Sequence, residues 1–514
     1  MGDGLEVKMV NLLIVNVNES NGDIIWEGLQ GIKVDNLYVT ASDKKQKARF
    51  EKRGTCYYTG NIVKGLYSDE ELDLEHCLPL EDDIFEYMNP YLLEILNQQR
   101  RYEQHHAFQV SNTWENHYNT YLKNLFFFHN LLERKAITHI FFYRVPHQGY
   151  EAIIYHLAKR KNLPMVMAFN SLIPRRDYAL TDYMKVDEEI KKEYERIRDE
   201  YQGASIEDIE LTGITKEEFE KWASLDPVQM KPCYMDGNRI KKTFYARYGN
   251  TNLIRAWRGI LGKEYEKYGL GVKFYGVCML KIPKLIDAIP VTYKQWRYAR
   301  PFWIKTKKAY DFYQSVATFP RDGEKYIYFA MHYQPEATSN PLGRGAYCDQ
   351  RIPLQILCRS VPKDVCIYVK AHPDQLAFFM GIEYYRDILR MPQVRMIRME
   401  CSTFDLMRKA IAVSSLTGTA CWEAQFFNVP AILFGYSYKN ASPLAYHVRT
   451  VQECEEAVQD ILAGNRKTTL KELKLFTKAA HNLSYPVSER AKVFPELMKR
   501  LIEQGVQIDC RIEK

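Results

Sequence analysis

This sequence of 514 residues lacks long apolar runs, paired cysteines and the common nucleotide-cofactor loops. No hydrophobic stretch approaches the roughly 18 residues that cross a bilayer, and the opening Met1-Gly2-Asp3-Gly4-Leu5-Glu6 carries acids where a secretory leader needs bases. A cytoplasmic protein is expected. The 11 cysteines, scattered from Cys56 to Cys510, form no CxxC pair; they read as reduced, mostly buried thiols, with neither disulfides nor structural metal expected. No GxxxxGK(S/T) loop, GxSxG elbow or strand-linked GxGxxG is evident, and no Asp-x-Asp stands at a strand end. These absences argue against P-loop enzymes, α/β-hydrolases, nicotinamide enzymes and single-domain sugar transferases that need a metal.

The composition is that of a folded protein, at 46% hydrophobic and 26% charged residues, and the length calls for two domains. The 37 tyrosines suit carbohydrate stacking, though core filling uses them equally. Charge is uneven. Between Arg239 and Lys308 there are 17 Lys/Arg against 3 Asp/Glu, so a net charge of +7 conceals a basic segment on an otherwise acidic chain. Trp257, Trp296 and Trp303 are interleaved with Lys241, Lys242, Arg255, Arg258, Lys263, Lys305, Lys307 and Lys308. That pattern fits an anionic membrane surface or a charged lipid-linked acceptor, with solvated helical faces as the plain alternative. No nucleic-acid-binding module accompanies it.

Alternation of short apolar runs with amphipathic stretches predicts two α/β lobes. Val10–Val17 reads as a buried first strand. Ile137–Tyr143, Tyr150–Lys161 and Met165–Phe169 read as a βαβ unit, which implies a parallel sheet. Residues 181–322 lose the strand rhythm: Asp187–Tyr201 is a charged helix, a capping box at Thr215 opens another, and the basic segment follows. From 323 the rhythm returns, with strands expected at Tyr326–Met331, Cys366–Lys370, Val394–Met399, Ile411–Ser414 and Ala431–Phe434, and helices opened by Ser402 and spanning Thr419–Phe427. The division is therefore 1–180 as a first Rossmann-like lobe, 181–322 as a helical basic insertion, 323–485 as a second Rossmann-like lobe, and 486–514 as a closing helix.

Polar residues concentrate at the strand ends, where ligands bind in open parallel sheets. In the second lobe these are His332-Tyr333-Gln334-Pro335-Glu336, Lys370-Ala371-His372-Pro373 and Ser414-Ser415-Leu416-Thr417-Gly418-Thr419, with Glu423 on the helix that follows. Lys370 supplies charge and His372 a directional donor for phosphate oxygens. Thr417 to Thr419 offer hydroxyls and N–H groups at a helix start, unless they are ordinary caps. Glu336 or Glu423 suits ribose or sugar hydroxyls. In the first lobe, Pro146-His147-Gln148-Gly149 with Glu151, and Asn170 through Arg176, end successive strands where a second substrate would sit. His147, Glu151, Glu19 and Asp23 are the candidates for a general base, and the sequence does not rank them.

The three second-lobe motifs, in this order and on these elements, resemble the capsule polysaccharide biosynthesis proteins, which include the bacterial Kdo transferases. The resemblance spans Tyr326–Tyr446 and, more loosely, Ile137–Arg176. It implies a GT-B-like glycosyltransferase: two Rossmann-like lobes facing a cleft, no required cofactor or metal, and a nucleotide-sugar donor as co-substrate, CMP-linked in wider relatives. By the same resemblance His372 and Pro373 bind the donor phosphate, Thr417, Gly418 and Thr419 add donors, and His332, Gln334 and Glu336 line the nucleotide or sugar pocket. The acceptor implied is a surface glycan or glycolipid. The segment Tyr436-Ser437-Tyr438-Lys439-Asn440 departs from the closer Kdo transferases, which leaves the sugar open. A CDP-polyol phosphotransferase of the teichoic-acid type and an inactive glycan- or lipid-binding scaffold remain alternatives.

Overall fold

The computed structural model describes residues 9–105, 114–230 and 300–511, apart from 335, 337, 344, 374 and 376–379. Two sheets organise the chain. The first contains β1 (Asn11–Val17), β2 (Asn36–Ala41), β3 (Thr55–Tyr58), β4 (His139–Phe142), β5 (Met165–Asn170) and β6 (Arg176–Leu180). The second contains β7 (Tyr326–Ala330), β8 (Cys366–Lys370), β9 (Val394–Met396), β10 (Ala412–Ser415), β11 (Ala431–Leu433) and β12 (Ala445–His447). A last strand, β13 (Ser484–Pro486), returns to the first sheet.

The first sheet runs β13-β6-β5-β4-β1-β2-β3, parallel from β3 to β5 and antiparallel at β6 and β13. The second runs β12-β11-β10-β7-β8-β9 and is parallel throughout. Each therefore grows outward in both directions from its first strand, β1 or β7. This is the doubly wound Rossmann order, with switch points between β1 and β4 and between β7 and β10. Strands covered on both faces must be apolar on both faces. Leu12, Leu13 and Ile14 of β1 and Ile327 and Phe329 of β7 are all fully buried.

Some local expectations shift. Val394–Met399 yields only a three-residue strand, and Thr419–Phe427 is one α-turn, Ala420–Glu423, continued by a 3-10 turn, Ala424–Phe427. Ser402 caps Thr403–Lys409 as its spacing predicts, accepting from the Asp405 N–H. The box at Thr215 does not form: the helix starts earlier, at Gly213, and the buried Thr215 hydroxyl meets His481 Nδ1 at 2.6 Å. Tertiary pairing outweighed the local cap. Most of the basic segment, 231–299, lies outside the described residues; its end forms the helix Arg300–Val316, where Lys305, Lys307 and Lys308 are exposed.

The chain end belongs to the first lobe in space. Helix Arg490–Gln504 packs on the helix Gly22–Gly28, and its buried Phe494 sets its ring edge-on to Phe141 at 5.3 Å. Among the described residues no helix is long and apolar enough to cross a membrane.

Candidate active site

The carboxyl ends of both sheets border one cleft of about 1010 Å³. On the second-lobe side it is lined by His332, Glu336, Lys370, His372, Pro373, Ser415, Thr417, Gly418, Thr419 and Glu423. All three predicted strand-end motifs therefore meet, because β8, β7 and β10 are neighbours in register.

His332 follows β7 and Thr417 follows β10, so the two straddle the switch point. The Thr417 N–H donates to His332 Nε2 at 2.9 Å, which fixes the neutral ring with its proton on Nδ1. Burial, helped by His372 and Lys439, pushes the His332 pKa down to about 3. Gly418 is required at the next position: a Cβ there would lie 2.8 Å from Ser415 Oγ. Ser415 in turn donates to the Ala330 carbonyl at 2.7 Å, tying β10 to β7. Thr417 Oγ1 donates to the Thr338 carbonyl at 3.0 Å. Thr419 begins the following turn without a side-chain cap bond, and that α-turn is only four residues long, too short to bring a helix dipole to the loop.

His372 sits half-buried with its pKa pushed down to about 4 by burial and by Lys370. It is therefore a neutral N–H donor near pH 7. Lys370 does not reach out as the sequence suggests. Its ammonium bonds the Cys401 carbonyl at 2.6 Å and Thr403 Oγ1 at 3.0 Å, and burial lowers its pKa to about 8. Gln334 also departs from expectation. Its side chain donates to the Cys348 carbonyl and its backbone N–H to Gln375, so it braces the loop and does not line the cleft.

From the first lobe comes His147, at the end of the loop after β4. Its Nδ1 meets the Val145 carbonyl at 2.5 Å, leaving Nε2 toward the cleft, 3.7 Å from Glu336 of the opposite lobe. Glu151 is not a lining residue. At 2% exposure it accepts from the N–H groups of His147 (2.6 Å) and Gln148 (3.2 Å), from Asn16 Nδ2 (2.8 Å) and from Tyr150 (3.2 Å). It thus holds His147 and the β1 end in register. Glu19 and Asp23 are outside the cleft: the Asn18–Gly22 turn directs them to solvent, and Asp23 pairs with Arg49.

The site also holds residues that strand-end reasoning passed over. Lys439, 4% exposed, donates to the Thr417 carbonyl at 3.0 Å and lies 4.4 Å from the Tyr438 ring centre; burial lowers its pKa to about 8. Beside it, burial raises Glu423 to about 7, against the pull of a Thr419 hydrogen bond and of Lys439. Lys439 follows β11 by six residues, so extending the strand-end rule to that strand finds it. Arg490 is brought in by the closing helix and grips the buried Asp177, while donating to Tyr143 OH at 2.9 Å. Nothing in the local sequence signals that contact.

No family model matches this chain, and no curated protein does. Solved structures similar to it include two KpsC transferases of Thermosulfurimonas dismutans. The beta Kdo 2,4 transferase is 15% identical over 34% of this chain and 55% of its own length, with a TM-score of 0.22. The beta Kdo 2,7 transferase is 12% identical over 68% and 79%, with a TM-score of 0.27. The UDP-GlcNAc 2-epimerase of Neisseria meningitidis, bound to UDP-GlcNAc, is 11% identical over 95% and 99%, with a TM-score of 0.21. This chain thus spans just over half of the first of these proteins. The fold assignment rests on the two strand orders.

Proposed function

We propose that the chain is a metal-independent glycosyltransferase that moves a sugar from a nucleotide-activated donor to a glycan or glycolipid acceptor. One observation carries this reading: the switch points of two Rossmann-like sheets face each other across one cleft, with the neutral His332 and His372 on one side and His147 on the other.

The donor phosphate lies against His372-Pro373 and the Thr417–Thr419 loop. Hydrogen bonds there strengthen as negative charge gathers on the leaving phosphate. Lys370 and Lys439 add positive charge from the floor, each held by backbone carbonyls and so costing no reorganisation. His147 takes the acceptor proton at Nε2, since the Val145 carbonyl keeps Nδ1 protonated. Glu336 stabilises the imidazolium that results, and Glu423 suits sugar or ribose hydroxyls. A CMP-linked donor is our choice, on the motif resemblance. Placement on the inner face of a membrane, through the basic segment, suits a glycolipid acceptor.

The test is a thermal-shift screen against CMP, CDP, UDP and GDP, followed by transfer assays with CMP-sugars and CDP-glycerol. Stabilisation by CMP and release of CMP from a CMP-sugar support the proposal. Release of CMP from CDP-glycerol alone makes the chain a polyol-phosphate transferase, and nucleotide binding with no turnover on any acceptor makes it a scaffold.

A further inference from the structure

The first-lobe wall of the cleft carries four arginines. Arg144 lies in the loop after β4, Arg175 turns the β5–β6 hairpin, Arg176 begins β6, and Arg490 opens the closing helix; all four line the cleft. Two of them are consumed by structure. Arg176 is buried, donating to Ser484 Oγ at 2.9 Å and to the Ser484 and His481 carbonyls, and Glu489 lies near enough to interact with it. Arg490 is buried on Asp177 and Tyr143.

Arg144 and Arg175 differ. Both are exposed, and neither guanidinium makes a hydrogen bond or ion pair with a described residue. Arg144 lies over the Tyr143 ring at 5.5 Å and within electrostatic reach of Asp177, whose carboxylate Arg490 already holds. Arg175 adopts φ of 61°, a left-handed conformation that a β-carbon disfavours, and its carbonyl accepts from the Val487 N–H at 2.9 Å. The hairpin is thereby pinned in a conformation better suited to glycine or asparagine, with an arginine at its tip.

We infer that Arg144 and Arg175 form an acceptor subsite for an anionic sugar, one bearing a phosphate or a carboxylate. This rests on the proposed function, and it names the acceptor class for the same cleft. On the proposed reading the donor phosphate is served by His372 and the loop after β10 on the second lobe, so two guanidinium groups on the opposite wall that no described residue pairs answer to a second negative charge. A planar, two-pronged donor at each position selects an oxyanion over a hydroxyl. An anionic sugar held there also presents its hydroxyls to His147, which is on the same loop as Arg144.

The test uses the full chain and three probes: glucose 6-phosphate, glucuronate and neutral methyl glucoside, with CMP titrated separately. The charged sugars should bind about tenfold more tightly than methyl glucoside, the size of one charge-assisted contact. Arg144→Gln and Arg175→Gln should each weaken them and together remove the preference, while His372→Ala should leave it intact and weaken CMP instead. If glucose 6-phosphate alone is preferred, the subsite takes phosphate; if glucuronate alone is, it takes carboxylate. Equal binding of all three sugars, no binding of any, or a double variant that retains the preference would overturn the inference. Retained anion preference with no CMP affinity would sink the proposed donor site and leave this one standing. Arg175→Gly is a second variant that cannot fail by backbone strain; like Arg175→Gln it should weaken the charged sugars, and with Arg144→Gln it should remove the preference.

Discussion

At the scale of single residues, the second-lobe side of the cleft holds two histidines that burial keeps neutral. His332 and His372 have pKa values near 3 and 4 in the folded state against 6.5 for free histidine, so the unfolded chain binds protons first as pH falls. Their contribution to stability is complete above about pH 6.5 and is lost as pH drops toward 4 and then 3. By pH 5 each costs roughly 2 kcal/mol. His332→Asn should flatten that acid limb in urea melts between pH 7 and 5; an unchanged slope would show that His332 titrates normally. His372→Ala should lower transfer at least about 100-fold, the loss expected of a transition-state donor, while shifting Tm by only a few degrees. Transfer at the wild-type rate would remove His372 from the donor site. The left-handed Arg175 belongs here too: Arg175→Gly should raise stability by about 1 kcal/mol in urea melts, because the cost of φ at 61° disappears.

At the scale of elements, the informative ones are those whose partners are far away in sequence. The strand β13 and helix Arg490–Gln504 complete the first lobe from the chain's far end. Phe494 is fully buried between Phe141 and Tyr143. Phe494→Ala should therefore cost about 3–5 kcal/mol and destabilise the first sheet, measurable as faster amide exchange in β4 and β5. Helix Arg300–Val316 carries the exposed Lys305, Lys307 and Lys308 while burying Thr306 and Ala309 on the second lobe. Lys307 is paired with Asp311 at 2.5 Å, so the net charge offered is smaller than the sequence count suggests. Reversing these three lysines should lower sedimentation with anionic vesicles in a salt-sensitive manner. Unchanged sedimentation would remove the membrane from the proposal.

At the scale of the whole molecule, the two lobes share cores. Leu342 leaves the second lobe to join the buried cluster of the first. A further cluster combines Leu172 and Tyr178 of the first lobe with Trp422 and Tyr438 of the second and with Phe476. Hydrophobic burial of this kind couples unfolding. Calorimetry should show one cooperative transition despite two sheets, and Leu342→Ala should lower it by about 2–4 kcal/mol. Two resolved transitions would mean that the lobes are thermodynamically independent.

The sequence by itself determined the two α/β lobes, the inner strands of each sheet and which second-lobe strand ends border the cleft. Strands buried on both faces must be continuous apolar runs, and their polar ends are local features that a parallel sheet gathers at one edge. His332, His372 and Thr417 could be grouped on that basis alone. Tertiary structure decided what depends on distant partners: Glu151 became a brace because Asn16 and the His147 N–H converge on it. Carbonyls that accept from them drew Gln334 away from the cleft and Lys370 into its floor. Glu19 and Asp23 were turned outward by a local asparagine turn. Arg490 joined the first-lobe arginines only through the chain's last helix, since no local pattern records which remote carboxylate will neutralise a given guanidinium.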